Sequence, residues 1–275
     1  MPTSTNEDSR HPNVESREYY DKLAQEYHYS ESYRRRPWAE YFHITRRVGE
    51  IVASLENISN NFTIHSAADI GCGDGVLLPF ISMAARKVTA MDISPERLRM
   101  AEEAGKGLSN IDYAVADIMS NSSDFHEKFD LVVCSEVIEH VRDYATFFDN
   151  LAEMIAPGGY LILSTPSKWS FREKTLRLQQ IILNFYFNTI QKRNLSRFTF
   201  YHIGLHGPKK LASMTEKRFS SYDLKTVGLY FPVFTELGFK LGGERFKQRY
   251  LTIDERVGKS NLAWINWTQI LTARK

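Results

Sequence analysis

Cysteine is nearly absent from this chain of 275 residues, which has only Cys72 and Cys134. Both fall where strand ends are expected, so they read as small buried hydrophobes rather than as a disulfide. A reducing compartment follows, and a cytoplasmic location is expected. Net charge is also scarce, since 35 Lys and Arg against 33 Asp and Glu leave a formal +2. That balance carries no electrostatic footprint for nucleic acid, and no basic surface run supplies one. No apolar stretch reaches the ~18 residues of a membrane span. Met1 to Ser16 is polar throughout and lacks the apolar centre of a secretory signal. There is neither an internal repeat nor a low-complexity tract. The remainder is ordinary globular composition, 43% hydrophobic and 25% charged, long enough for one large α/β domain. Aromatics reach 13%, many of them outside the part that reads as a sheet. They suit either an apolar pocket for an organic substrate or extra core.

Residues 1–16 read as a disordered tail and 17–275 as a single domain. From Glu18 to Leu55, Tyr19, Leu23, Tyr27, Phe42, Val48, Ile51, Val52 and Leu55 recur at helical spacing. They predict two or three helices, broken near Arg36-Pro37 because the residue before proline avoids helical geometry. Strand and helix then alternate. Strands are expected at Ala67–Cys72, Lys87–Asp92, Ile111–Ala116, Phe129–Ser135 and Tyr160–Thr165. Helices are expected at Val76–Ala85, Pro95–Ala104 and Thr146–Ala156, the last closed by Pro157-Gly158-Gly159. Ser94 as cap and Pro95 in the first turn sign the start of the second of these helices. Such alternation implies a parallel, doubly wound, Rossmann-like sheet. Further on, a short helix is expected at Pro208–Met214 and strands at Tyr222–Leu229 and Trp264–Thr272.

The strongest local signal is Asp69-Ile70-Gly71-Cys72-Gly73-Asp74-Gly75, set between a strand and a helix. Glycines there let the backbone turn tightly and approach a ligand at the sheet's carboxyl edge. Asp92, nineteen residues past Gly73 and followed by Ile93, stands where a carboxylate takes both hydroxyls of a ribose. Asp117 and Ile118 suit an adenine amine and an apolar contact to its ring. A dinucleotide fingerprint wants glycine or alanine three residues after the second glycine, where Val76 stands here. Asp74 is expected to sit poorly beside a pyrophosphate, whereas Asp69 suits the positive end of a methionine moiety. The loop therefore fits a sulfonium cofactor without phosphates, S-adenosyl-L-methionine, better than a nicotinamide dinucleotide.

These residues, with Ser135-Glu136-Val137-Ile138-Glu139-His140-Val141 and Pro157-Gly158-Gly159, resemble the successive motifs of class I S-adenosylmethionine-dependent methyltransferases across roughly residues 65–166. The resemblance implies a seven-stranded, mostly parallel sheet whose last strand is antiparallel, with N-terminal helices. It places Asp69, Gly71, Cys72 and Gly73 at the methionine portion, Asp92 and Ile93 at the ribose, Asp117 and Ile118 at adenine, and Ser135 at the site's edge. Tyr20, or its neighbour Tyr19, is similar to a tyrosine these enzymes lay across the cofactor. Within the class, the Ser135–Val141 stretch and Gly238-Phe239-Lys240-Leu241-Gly242-Gly243 resemble the ubiquinone-biosynthesis O-methyltransferases, which implies methylation of a catechol-like hydroxyl.

Two readings of the Glu136-to-His140 segment stay open. On a helix, positions i, i+3 and i+4 share a face, so Glu136, Glu139 and His140 are candidates to hold Mg²⁺ beside a phenol. Alternatively, His140 is a base or packs beside the substrate, with Glu136 nearby. His202 and His206 are further catalytic candidates, because their stretch follows the lid in relatives. Residues 168–206 are read as an inserted helical lid rich in aromatics, with a basic face over 171–200 that also suits an anionic membrane surface. The expected acceptor is a small lipophilic metabolite, aromatic or prenylated, methylated at oxygen. The alternatives are nitrogen or carbon methylation of a terpenoid, indole or polyketide acceptor, and a catalytically inactive cofactor-binding partner subunit. The oligomeric state is not legible.

Overall fold

The computed structural model describes residues 17–26, 38–175, 178, 204 and 206–275. The 1–16 tail, His202 and most of the 168–206 lid, including nearly all of the basic face, lie outside them. Helices α1 (Arg17–Glu26) and α2 (Trp38–Asn61) precede a sheet whose strands alternate with helices. In order these are β1 (Ile64–Ile70), α3 (Leu78–Ala84), β2 (Ala85–Asp92), α4 (Pro95–Ala104) and β3 (Ile111–Val115). Then come the short α5 (Ile118–Asn121), β4 (Phe129–Ser135), α6 (Tyr144–Met154) and β5 (Ile155–Pro166). After the lid follow α7 (Pro208–Thr215), β6 (Ser221–Val227), α8 (Pro232–Leu241), α9 (Gly243–Gly258) and β7 (Thr268–Arg274).

The seven strands lie in the order β3-β2-β1-β4-β5-β7-β6. β1 to β5 run parallel and β7 antiparallel to both its neighbours, as the resemblance implies. The central strands are buried on both faces, so Leu131, Val132, Val133 and Cys134 form an unbroken apolar run. One core cluster packs α6 and α7 on the sheet, and the other packs α2, α3 and α4 on it. The strand order reverses at the β1–β4 junction, which opens a crevice at the carboxyl ends there.

Several boundaries differ from expectation, and three have a clear local cause. α6 starts at Tyr144, because Asp143 caps it through a bond from the Thr146 amide at 3.2 Å. It ends at Met154, and β5 begins at once, with Ile155 opposite Phe129 and a register shift before Leu131. Pro157-Gly158-Gly159 is thus carried inside an irregular strand start. The final strand begins at Thr268 rather than Trp264, since Ala263–Ile265 is a 3₁₀ turn.

The larger difference is α8 and α9, inserted between β6 and β7 where the sequence analysis assigns no element. The Gly238–Gly243 run forms their junction. Their packing is aromatic, with Phe239, Phe246 and Tyr250 in mutual contact, and Asp254 is the polar anchor. Its Oδ1 accepts from the Gly228 and Leu229 amides at 3.0 and 2.7 Å, and its Oδ2 from Arg46 Nε at 3.3 Å. No described helix is long and apolar enough to cross a membrane.

Candidate cofactor and acceptor site

The loop after β1 is bound to β2, since the Gly71 and Cys72 amides donate to Met91 O at 2.8 and 3.0 Å. This requires the left-handed conformation at Gly71, φ +68°. A Cβ there would also collide with Val137 Cγ2, in the segment leaving β4. Gly71→Ala is therefore expected to cost about 1–3 kcal/mol of stability and to weaken cofactor binding. Thermal denaturation and titration with S-adenosylhomocysteine, side by side, check this.

Asp92 is held by two backbone amides. The Gly73 amide donates to Oδ2 and the Ser94 amide to Oδ1, each at 2.9 Å. Each oxygen keeps a lone pair, so the carboxylate still accepts from two neighbouring hydroxyls. Half-buried Ile93 lies between them in the chain. Asp69, 2% exposed, has its carboxyl raised to about 7 by burial and then by the charge of Asp92. Burial likewise raises Asp92. Two buried carboxylates beside a glycine loop form an anionic site that a cationic ligand completes. Cys72, also buried, carries a thiol pushed well above its ordinary value by burial and these acids, so it is a wall rather than a nucleophile.

Asp74 corrects an expectation. It does not face the crevice as a charge that repels phosphates. It is buried against Arg97 Nη1 at 2.6 Å, and Arg97 is 1% exposed. The sequence reading missed Arg97, because an arginine on an amphipathic helix gives no sign that it turns inward.

At the end of β3, Asp117 caps α5, accepting from the Met119 amide at 2.9 Å and Ser120 Oγ at 3.1 Å. Ile118 is buried, with its carbonyl taken by Asn150 Nδ2 at 2.8 Å. The Ala116 amide donates to Asp92 O at 3.0 Å, which ties the adenine and ribose candidates together. On the other flank α1 packs on α4, and Asp21 accepts from Ser94 Oγ. Tyr20 thereby comes edge-on to His140, ring centroids 6.4 Å apart, with Tyr19 edge-on to Tyr20.

The segment after β4 is not an α-helix. Glu136 takes φ +59°, and Ile138–His140 is a 3₁₀ turn. The helical spacing that would gather Glu136, Glu139 and His140 is thus lost, and each acid has other partners. Glu136 pairs with Arg47 Nη1 at 2.9 Å and accepts from Ser164 Oγ at 3.2 Å, and Ser164 Oγ also bonds Ser135 Oγ at 2.8 Å. Glu139, 1% exposed, accepts from Thr165 Oγ1 at 3.0 Å, while His140 meets Tyr20. Among the described residues no group of three His, Cys, Asp or Glu is arranged to hold a metal ion, so this segment does not fit Mg²⁺. Arg47 and Ser164 lay outside the sequence reading, as nothing in a periodic α2 distinguishes Arg47 from a solvated charge.

His206 does return to this edge. Its imidazole lies 3.8 Å, centroid to centroid, from the Tyr144 ring. Burial, with Lys210 and Lys168 nearby, pushes its pKa down to about 4. It is neutral at neutral pH and too weakly basic to serve well as a general base.

The loop, the two acids and the sheet order are those of an S-adenosylmethionine-dependent methyltransferase. A family model described as a methyltransferase domain matches residues 40–206, and the chain belongs to that family. The ubiquinone biosynthesis O-methyltransferase of Xylella fastidiosa is 34% identical over 115 residues, covering 40% of this chain and 46% of the relative. The match thus spans about half the length of that relative. An S-adenosylmethionine-dependent methyltransferase from Archaeoglobus fulgidus superposes with TM-score 0.53 at 17% identity, covering 86% of this chain and 100% of that one. The N-methyltransferase NodS from Bradyrhizobium japonicum gives TM-score 0.52 at 18% identity, covering 82% and 94%. At such identities these structures speak to the fold.

Proposed function

We propose that the chain methylates a hydroxyl of a small, apolar acceptor, aromatic or prenylated, using S-adenosyl-L-methionine held by Asp69, Gly71, Gly73, Asp92, Asp117 and Ile118. The carrying observation is the pair of buried carboxylates, Asp69 and Asp92, beside the glycine loop. The partial likeness to a ubiquinone biosynthesis O-methyltransferase favours oxygen and a lipophilic acceptor. The bound cofactor supplies a methyl group already activated by its positive sulfur. The chain's task is alignment and exclusion of water. Asp69 holds the ammonium end, Asp92 fixes the ribose, and Tyr20 with α1 covers the crevice. With the cofactor bound, His140 would take the proton of the acceptor hydroxyl as that oxygen is methylated. Glu136, tied to Arg47 and Ser164, positions the turn that carries His140.

Calorimetric titration with S-adenosylhomocysteine, with NAD as control, tests the cofactor. Micromolar binding of the first alone supports the reading, and binding of NAD alone overturns it. Turnover is then measured on lipophilic phenols with and without a chelator, and equal rates are expected. His140→Ala is expected to lower kcat about 100-fold while leaving S-adenosylhomocysteine affinity within twofold. Equal losses in both would remove His140 from the chemistry.

A further inference from the structure

Beside the methyl-transfer edge lies a second cluster of polar groups that the proposed reaction does not use. Ser167 follows β5, Gln269 lies in β7, and His206 ends the returning lid segment. The backbones of Ser167 and His206 form a β-bridge, and Gln269 pairs with Thr165 in the β5–β7 ladder. Ser167 and Gln269 are fully buried and His206 is 8% exposed. Among the described residues, Ser167 Oγ, Gln269 Oε1 and His206 Nε2 are buried without a hydrogen-bond partner.

The orientation of Gln269 is fixed by chemistry. Its Nε2 faces two carbonyls, His206 O at 2.7 Å and Pro166 O at 3.4 Å. A flipped amide would set oxygen against oxygen, so Oε1 is the atom left without a donor. A buried acceptor in that state costs free energy until a donor reaches it. The cluster is joined to the reaction edge at three points. Thr165 Oγ1 donates to Glu139, the Gly204 amide donates to Glu139 O at 2.8 Å, and the His206 ring meets Tyr144.

Resting on the methyltransferase reading above, we infer that Ser167, His206 and Gln269 form an acceptor-recognition corner that binds a hydroxyl or N–H of the substrate distinct from the group that is methylated. Gln269 Oε1 demands a donor, while Ser167 Oγ and the His206 imidazole complete the bonding of that same group. β5 and β7 stand one and two strand spacings from β4, which places the recognised group ~5–10 Å from the β4 edge. The fitting class is an extended apolar molecule with a polar group at each end. A molecule carrying a single hydroxyl leaves the corner unpaired, and a buried polar group left unpaired is what makes such a site discriminate.

The test uses the full chain saturated with S-adenosylhomocysteine and two rigid probes, 4-phenylphenol and 4,4′-dihydroxybiphenyl, titrated calorimetrically. Wild type is expected to bind the second about tenfold more tightly, the effect of one hydrogen bond to a buried acceptor. Gln269→Leu and Ser167→Ala are each expected to erase that preference, with S-adenosylhomocysteine affinity unchanged. The milder Ser167→Ala secures the test if Gln269→Leu fails to fold. Equal affinity for the two probes, or binding of neither, shows that the corner holds only water and overturns the inference. So does a preference that survives both substitutions. Failure to bind S-adenosylhomocysteine strikes at the methyltransferase reading instead, so the two failures are separable.

Discussion

Arg97→Ala is expected to destabilise the protein by about 3–5 kcal/mol, because it leaves the Asp74 carboxylate buried without its partner. The pair is 2.6 Å apart, with side chains 1% and 3% exposed, so solvent does not screen it. A loss of that size lowers Tm on the order of 10 °C in a chain of this length. The double variant Arg97→Met with Asp74→Leu removes both charges and is expected to recover most of the loss, since apolar replacements of a buried pair are tolerated. Differential scanning calorimetry on the three proteins decides the matter. An Arg97→Ala protein that melts with wild type would mean the pair is solvated and energetically idle. Arg97 also draws down the pKa of Asp92, so the variant reaches into the ribose site as well as the core.

The second large effect concerns Asp69. Its carboxyl titrates near 7 in the folded chain, against an ordinary 3.8. Between those values the folded state binds more protons than the unfolded one, so stability without ligand falls as pH rises through that window. Cofactor binding has the opposite slope. On the role proposed for Asp69, the ammonium end of the ligand needs the carboxylate ionised, so S-adenosylhomocysteine affinity is expected to rise up to tenfold per pH unit from about 5 to 7. It levels off above that. Asp69→Asn is expected to weaken binding about 100-fold and to abolish the acid limb of the profile. An Asn variant that keeps the wild-type slope would assign the proton to another group.

Much of this was legible in the residues, and unevenly so. The cofactor half was readable because its constraints are local. The glycine loop, Asp92 and Asp117 sit at fixed offsets from strand ends, and periodicity places those ends within a few residues. The Ser94-Pro95 helix start was readable for the same reason. The acceptor half was not, because its geometry is made by groups distant in sequence. Helical spacing would gather Glu136, Glu139 and His140, but Glu136 turns into positive φ, where Arg47 and Ser164 hold its carboxylate. α8 and α9 went unassigned although α9 keeps a helical period, because the glycine-rich junction Gly238–Gly243 reads as a loop and Asp254 on the buried face reads as a solvated charge. Gln269 sits mid-strand as an isolated polar residue, and only the antiparallel register shows that it meets His206.

The position of β7 between β5 and β6 sets an order of assembly. β1 to β4 span residues 64–135 and pair through short, repeated crossovers, so the pocket for the methyl donor can close early. β6 has no strand to pair with until β7 threads in beside β5, more than a hundred residues after β5 begins. Pairings across such separations are slow to form. The wall assigned above to the acceptor is therefore expected to be the last part of the sheet to form. On the proposed roles, a newly made chain is expected to hold its cofactor before it is able to tell one acceptor from another.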